Sequence, residues 1–156
     1  VREGYLDRYK TLVFAWGDVI EAEVLAVIDA WMQRGGVVTY PSFPRGPLST
    51  VEGDPSLFER WSEGATGQGQ FHRFRGDMEP TSEYADFVKQ VLLEQQNLHA
   101  WTQRVLQAEH PAQVFLSIQE DGNLMVLNYE DETATVQVPG LEALQVESYG
   151  IARVKL

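Results

Sequence analysis

The sequence predicts an α/β chain in which a small parallel sheet with helices precedes an antiparallel β module. Three observations carry this. Between Tyr9 and Tyr40 an apolar run, an amphipathic helix closed by two glycines and a second apolar run follow one another within about thirty residues, the βαβ pattern. After Pro111 the apolar period changes from the helical three-to-four to the alternation of strands. The 156 residues are 44% apolar and 22% charged, which suits folded domains rather than disorder.

The elements follow in chain order. Tyr9–Trp16 is dense in β-branched and aromatic residues and reads as a strand buried on both faces. Gly17 breaks it, and Asp18 followed by Glu21 reads as a capping box opening a helix. Ile20, Val24, Val27, Ile28 and Trp31 form the apolar stripe of that helix, and Gly35-Gly36 supply its left-handed stop. Val37–Tyr40 is the next strand, and the crossover makes the two strands parallel.

From Pro41 to Pro55 proline, glycine and serine mark a loop at the carboxyl end of a parallel strand, where open α/β sheets place ligands. Asp54-Pro55 starts a short helix carrying Leu57, Phe58 and Trp61. Gly67-Gln-Gly69 leads into a strand over Gln70–Phe74. It lacks the third glycine and the following helix of a dinucleotide fingerprint, so backbone tightness explains the glycines better. A helix capped by Thr81 or Ser82 follows, with Tyr84, Val88 and Val91 on its stripe. Gln95 and Thr102 interrupt the period, which predicts two helical pieces or a bend before Pro111. Five short strands complete the chain: Val114–Ile118, a turn at Asp121-Gly122, Leu124–Asn128, Thr133–Val138, Leu144–Tyr149 and Ala152–Leu156. The expected domains are 1–112 (α/β) and 113–156 (antiparallel β), the second too short to be stable without packing on further polypeptide.

Composition narrows the function. Twenty-three acidic against twelve basic residues give −11, which opposes binding to nucleic acid or an anionic membrane. No cysteine means no disulfide, thiol nucleophile or cysteine-held metal, and fits a reducing, cytoplasmic compartment. The three histidines are isolated, so neither a metal nor another cofactor is expected. Ser42 lies in Tyr-Pro-Ser-Phe-Pro, where Pro44 forbids the tight turn of a nucleophile elbow. The chemistry-bearing candidates are Trp16 and Asp18 after the first strand, and Tyr40, Phe43 and Arg45 after the second. On one sheet edge they suit sugar stacking with hydroxyl hydrogen bonds, and equally a protein interface.

A resemblance adds to this reading. Leu6-Asp-Arg-Tyr-Lys-Thr-Leu-Val and Trp31-Met-Gln-Arg-Gly35-Gly36-Val-Val resemble the later half of the flavodoxin-like, class I glutamine-amidotransferase-like domain of bacterial glycoside hydrolases such as the family forty-two beta-galactosidases. Gly67-Gln-Gly69 leading to Phe74-Arg-Gly76 is similar to that domain's glycine-bearing strand. Val114-Phe-Leu-Ser, Asp121-Gly-Asn-Leu-Met-Val-Leu-Asn128-Tyr and Tyr149-Gly-Ile-Ala-Arg-Val resemble the small β-sandwich that closes such enzymes.

The resemblance implies a non-catalytic C-terminal region of a longer enzyme, a reading that the non-Met start also suggests. It implies an N-terminal catalytic barrel as partner, a homo-oligomer formed through the α/β part, and one wall of a sugar site. Amidotransferase chemistry does not carry over, because the nucleophilic cysteine has no counterpart here, and the barrel's catalytic carboxylates map to no position. A free-standing carbohydrate-binding or protein-interaction module remains the alternative, and turnover by the chain itself would need an acid/base pair that sequence cannot locate.

Overall fold

The computed structural model describes residues 4–15, 19–41, 49–62, 66–76, 81–95 and 98–156, and the chain divides into two units, Val1–Glu94 and Gln95–Leu156. The first contains β1 (Thr11–Val13), β2 (Val19–Ile20), α1 (Ala22–Gln33), β3 (Val37–Pro41), β4 (Ser49–Thr50), α2 (Ser56–Ser62), β5 (Gln70–Phe74) and α3 (Thr81–Leu93). The parallel βαβ pairing expected from the sequence is present, with Thr11 opposite Val37 and Val13 opposite Thr39. β5 joins on the other side, also parallel, so the sheet order among the described residues is β1-β3-β5.

The position of each strand in the sheet decides its burial. β3 is central and all five of its residues are buried. Val38 and Tyr40 join Leu25, Ile28, Trp31 and Met32 of α1 and Phe58 and Trp61 of α2 in one core. Thr39 faces the other way, 0% exposed, beside Tyr84 of α3. β1 departs from the expectation of a strand covered on both faces. It is three residues long and lies at the edge, with Val13 41% exposed, because no described strand lies on its outer side.

The start of α1 is a second correction. Glu21 is extended (φ −61°, ψ 136°), makes no side-chain cap, and the helix begins at Ala22. Val19 and Ile20 instead pair in parallel with Ser49 and Thr50, since a β-branched pair with a strand partner gains ladder hydrogen bonds that a first helical turn leaves unmade. Ile20 still packs against the core, and the helix's buried stripe runs through Leu25, Ile28, Trp31 and Met32.

The Gly-Gly stop is as expected, with Gly35 at φ +108°. Around it the backbone is unusually close. A Cβ on Gly69 would lie 2.2 Å from the Met32 carbonyl oxygen and 2.3 Å from that of Gly36. Gln68 N–H donates to the Gln33 carbonyl and Gln70 N–H to that of Gly36, so the turn before β5 satisfies acceptors at the end of α1. The Gly67-Gln-Gly69 pattern is thus a packing device. α2 begins as expected after Asp54-Pro55, with Asp54 Oδ1 accepting from Ser56 N–H.

The second unit holds α4 (Ala100–Leu106), β6 (Val114–Ile118), β7 (Asn123–Asn128), β8 (Ala134–Val136), β9 (Leu144–Val146) and β10 (Ile151–Lys155). Antiparallel sheets β10-β7-β6 and β8-β9 share one core of Val114, Leu124, Val126, Ala134, Val136, Val138 and Val146. The helical region is two pieces, as the interrupted period suggested. The division between units falls earlier than residue 112, because Val105 of α4 and Ala108 pack into the β core. β9 stops at Val146, short of Tyr149, where the Gly150 N–H bonds back to the Glu147 carbonyl and Tyr149 itself takes φ +51°.

Candidate functional site

Three parallel strands bring the carboxyl ends of β1, β3 and β5 to one edge of the first unit, the edge that the sequence marked for ligand binding. Of the five candidates, Trp16, Asp18, Phe43 and Arg45 lie outside the described residues. Tyr40 is described and is a core ring, 4% exposed. Phe14 meets it edge-on at 5.9 Å, and Phe58 and Phe71 lie 6.2 and 6.1 Å from it. Trp61 completes the nest, 5.0 Å from Phe58 and 5.6 Å from Phe71. Edge-to-face and offset contacts of this kind add roughly 0.5–1.5 kcal/mol each beyond the area they bury. The aromatics after β3 are therefore partly a clamp of α2 on the sheet.

Beneath the same edge lies a polar group that the sequence did not single out. Tyr84 donates its hydroxyl to the Phe14 carbonyl at 2.6 Å, and the Tyr84 hydroxyl oxygen is 3.4 Å from Thr39 Oγ1. Burial pushes the Tyr84 phenol above its ordinary value, so it stays a neutral donor at physiological pH. It ties α3 to the ends of β1 and β3. The hydroxyl thus fixes the end of β1 against α3.

A second electrostatic feature of the unit, between α1 and α2, is also structural. Trp61 Nε1 donates to Asp29 Oδ1 at 2.7 Å, and Arg60 forms an ion pair with the same carboxylate. Burial acts to raise this carboxyl, but the Trp61 and Arg60 hydrogen bonds and the Arg60 charge outweigh it and hold Asp29 below the usual carboxylate range. Asp29 lies on α1 and its partners on α2, so the pair locks the two helices together. Among the described residues no group of three or more His, Asp or Glu side chains could hold a metal ion. None of the described helices is long and apolar enough to cross a membrane.

In the second unit the residues that sequence reasoning passed over are aromatic. Phe115 and Tyr129 are each 56% exposed and pack edge-to-face at 5.7 Å on the outer face of β6 and β7. A signal for them existed. Leu124-Met-Val-Leu127 is apolar at both phases of the strand alternation, which a sheet with one solvated face does not require.

The arrangement is an α/β unit with the carboxyl ends of three parallel strands at one edge, joined in sequence to a small antiparallel β unit. Known structures share this fold. The chain is similar to Gan42B, a GH42 beta-galactosidase, with a TM-score of 0.59 at 9% identity, over 96% of this chain and 32% of that one. It is similar also to an apo exo-carrageenase GH42 from Bacteroides ovatus, with a TM-score of 0.52 at 9% identity, over 94% of this chain and 22% of that one. The chain thus spans about a third or less of these neighbours' length, and the likeness at this identity is one of fold. No protein-family model and no curated protein matches it.

Proposed function

We propose that this chain is a non-catalytic region of a glycoside hydrolase of carbohydrate metabolism, beta-galactosidase-like, that follows a catalytic barrel. Its α/β unit provides contacts between subunits, and the loops at the carboxyl edge of β1 and β3 form one wall of the sugar site. The observation that supports this best is the span of the fold likeness: 96% and 94% of this chain, hence most of both units, aligns with 32% and 22% of two GH42 enzymes. Trp16, Asp18, Phe43 and Arg45 are the residues proposed to face substrate or a neighbouring subunit, with Tyr40, Phe14 and the Tyr84 hydroxyl holding the strand ends beneath them.

The test is to isolate the polypeptide from its native cell with an antibody to this chain, weigh it against the 17.6 kDa of these residues, and assay it on chromogenic galactosides. A species several times heavier that hydrolyses a glycoside and sediments as an oligomer is expected. A native polypeptide of 17.6 kDa with no associated hydrolase would end the proposal.

A further inference from the structure

The second unit carries an outward face that its own core does not use. Along β7 the side chains of Leu124, Val126 and Asn128 are buried, so Met125, Leu127 and Tyr129 point outward. The register sets Phe115 of β6 and Ile151 of β10 on either side of Leu127. Phe115, Leu127, Tyr129 and Gln113 line a shallow, open surface groove of about 510 Å³. Beside it Tyr149, 70% exposed, occupies a left-handed conformation that glycine would adopt without strain.

Next to this groove two turns that carry acidic residues come together, and among the described residues their carboxylates form no ion pair. Asn128 Nδ2 donates to the carbonyls of Glu132 and Glu147, its Oδ1 accepts from Glu130 N–H, and Tyr149 N–H bonds to the Glu130 carbonyl. These bonds gather the Glu130–Glu132 turn and the Glu147–Gly150 turn at one end of the sheet. Glu130 Oε1 is held at the groove itself, accepting from Gln113 N–H at 3.0 Å. The unit's three basic residues are engaged elsewhere: Arg104 stacks on Trp101, Arg153 pairs with Asp121, and Lys155 Nζ donates to the Asp121 carbonyl. Among the described residues Glu130, Asp131, Glu132 and Glu147 make no ion pair.

We propose that this groove docks an arginine-bearing segment of a protein partner. The guanidinium lies against the Tyr129 ring and meets the Glu130 carboxylate, while an apolar neighbour in the segment covers Phe115 and Leu127. Arginine fits because its planar cation both stacks on an aromatic ring and pairs with a carboxylate. A second copy of this chain fits badly, since it would set the groove and its Glu130 carboxylate against a molecule that also carries −11. A neutral sugar could use the Glu130 carboxylate only as a hydroxyl acceptor, and the Phe115 and Tyr129 rings, set at 84°, offer its ring face no flat platform.

The experiment is a titration of the ¹⁵N-labelled chain with the capped pentapeptide Leu-Arg-Leu-Arg-Leu, its Leu-Glu-Leu-Glu-Leu counterpart, and a galacto-oligosaccharide. The arginine peptide should shift the amides of Phe115, Leu127 and Tyr129, with affinity falling about tenfold as salt rises from low to high ionic strength. Tyr129→Ala and Glu130→Gln should each weaken it about fivefold or more, and Glu142→Gln, on the turn after β8, should not. Absence of shifts, equal shifts from the glutamate peptide, or shifts of these amides by the oligosaccharide would each overturn the proposal. So would self-association of the free chain that Phe115→Ala abolishes.

Discussion

Replacing Asn128 should unfold much of the second unit while leaving the first intact. The side chain is 2% exposed. Its Nδ2 lies 2.9, 3.0 and 2.9 Å from the carbonyls of Glu132, Val146 and Glu147, and its Oδ1 accepts from Glu130 N–H at 2.9 Å. This pattern of three acceptors on one side and a donor on the other also fixes which end of the amide is nitrogen. With two amide hydrogens, about three hydrogen bonds' worth of interaction is made, each worth roughly 0.5–1.5 kcal/mol net. Asn128→Ala also strands the buried Val146 carbonyl, which adds about 1–3 kcal/mol. A total loss of about 3–4 kcal/mol is large against the roughly 0.05–0.15 kcal/mol per residue by which domains are stable.

Urea titration followed by amide peak intensities reports each unit separately. With a slope of about 1 kcal/mol per molar for a unit this small, the midpoint of the second unit should drop by about 3 M. Asn128→Asp should do as much harm at neutral pH, because its carboxylate would face three carbonyl oxygens and donate nothing. Those oxygens would raise the pKa of the new carboxyl in the folded state above its unfolded value. Its protonated form, which can donate, is then favoured in the folded chain, so the variant should recover part of its stability as pH falls toward 4. If both variants fall within about 0.5 kcal/mol of the wild type, the hub is not what joins these turns, and the reasoning is refuted.

Other expectations follow from single contacts. Gly69→Ala places a Cβ against the carbonyl oxygens of Met32 and Gly36, which cannot move without breaking β5 from α1; the first unit should lose about 3 kcal/mol or more by urea titration. Asp29 has a lowered pKa in the folded chain, so its contribution is present above the ordinary carboxylate range and is lost as pH falls through the lowered value. Thermal melts from neutral to acid pH should show that acid-side loss in the wild type and a smaller one in Asp29→Asn. Tyr149→Gly relieves the left-handed backbone and should leave stability unchanged or raise it by about 0.5–1 kcal/mol, measured by the second unit's urea midpoint.

The parts of the fold legible in the sequence were those set by local pattern. The βαβ unit was readable because the apolar run before Gly17, the stripe through Ile28 and Trp31, and Gly35-Gly36 each act within one element. The hairpin at Asp121-Gly122 was readable for the same reason, and Gly122 takes φ +74°. What failed was local reading of residues whose state depends on a distant partner. Ile20 matches a helical stripe and is strand because, with Val19, it pairs with Ser49 and Thr50. Of the candidate site, the sequence could point to the edge but not to what sits there. Tyr40 reads as an exposed platform at a strand end until Phe58 and Phe71, eighteen and thirty-one residues on, are folded over it.

Sequence alone thus determined the type of most elements, strand direction and charge, because turn chemistry, periodicity and ionisable side chains act over a few residues or are simply counted. Tertiary structure decided which strand is central, which aromatic rings are covered and which turns meet at one buried side chain. Burial and charge pairing depend on neighbours in space, and no short window of the chain records that Glu130, Glu132 and Glu147 meet around one buried amide.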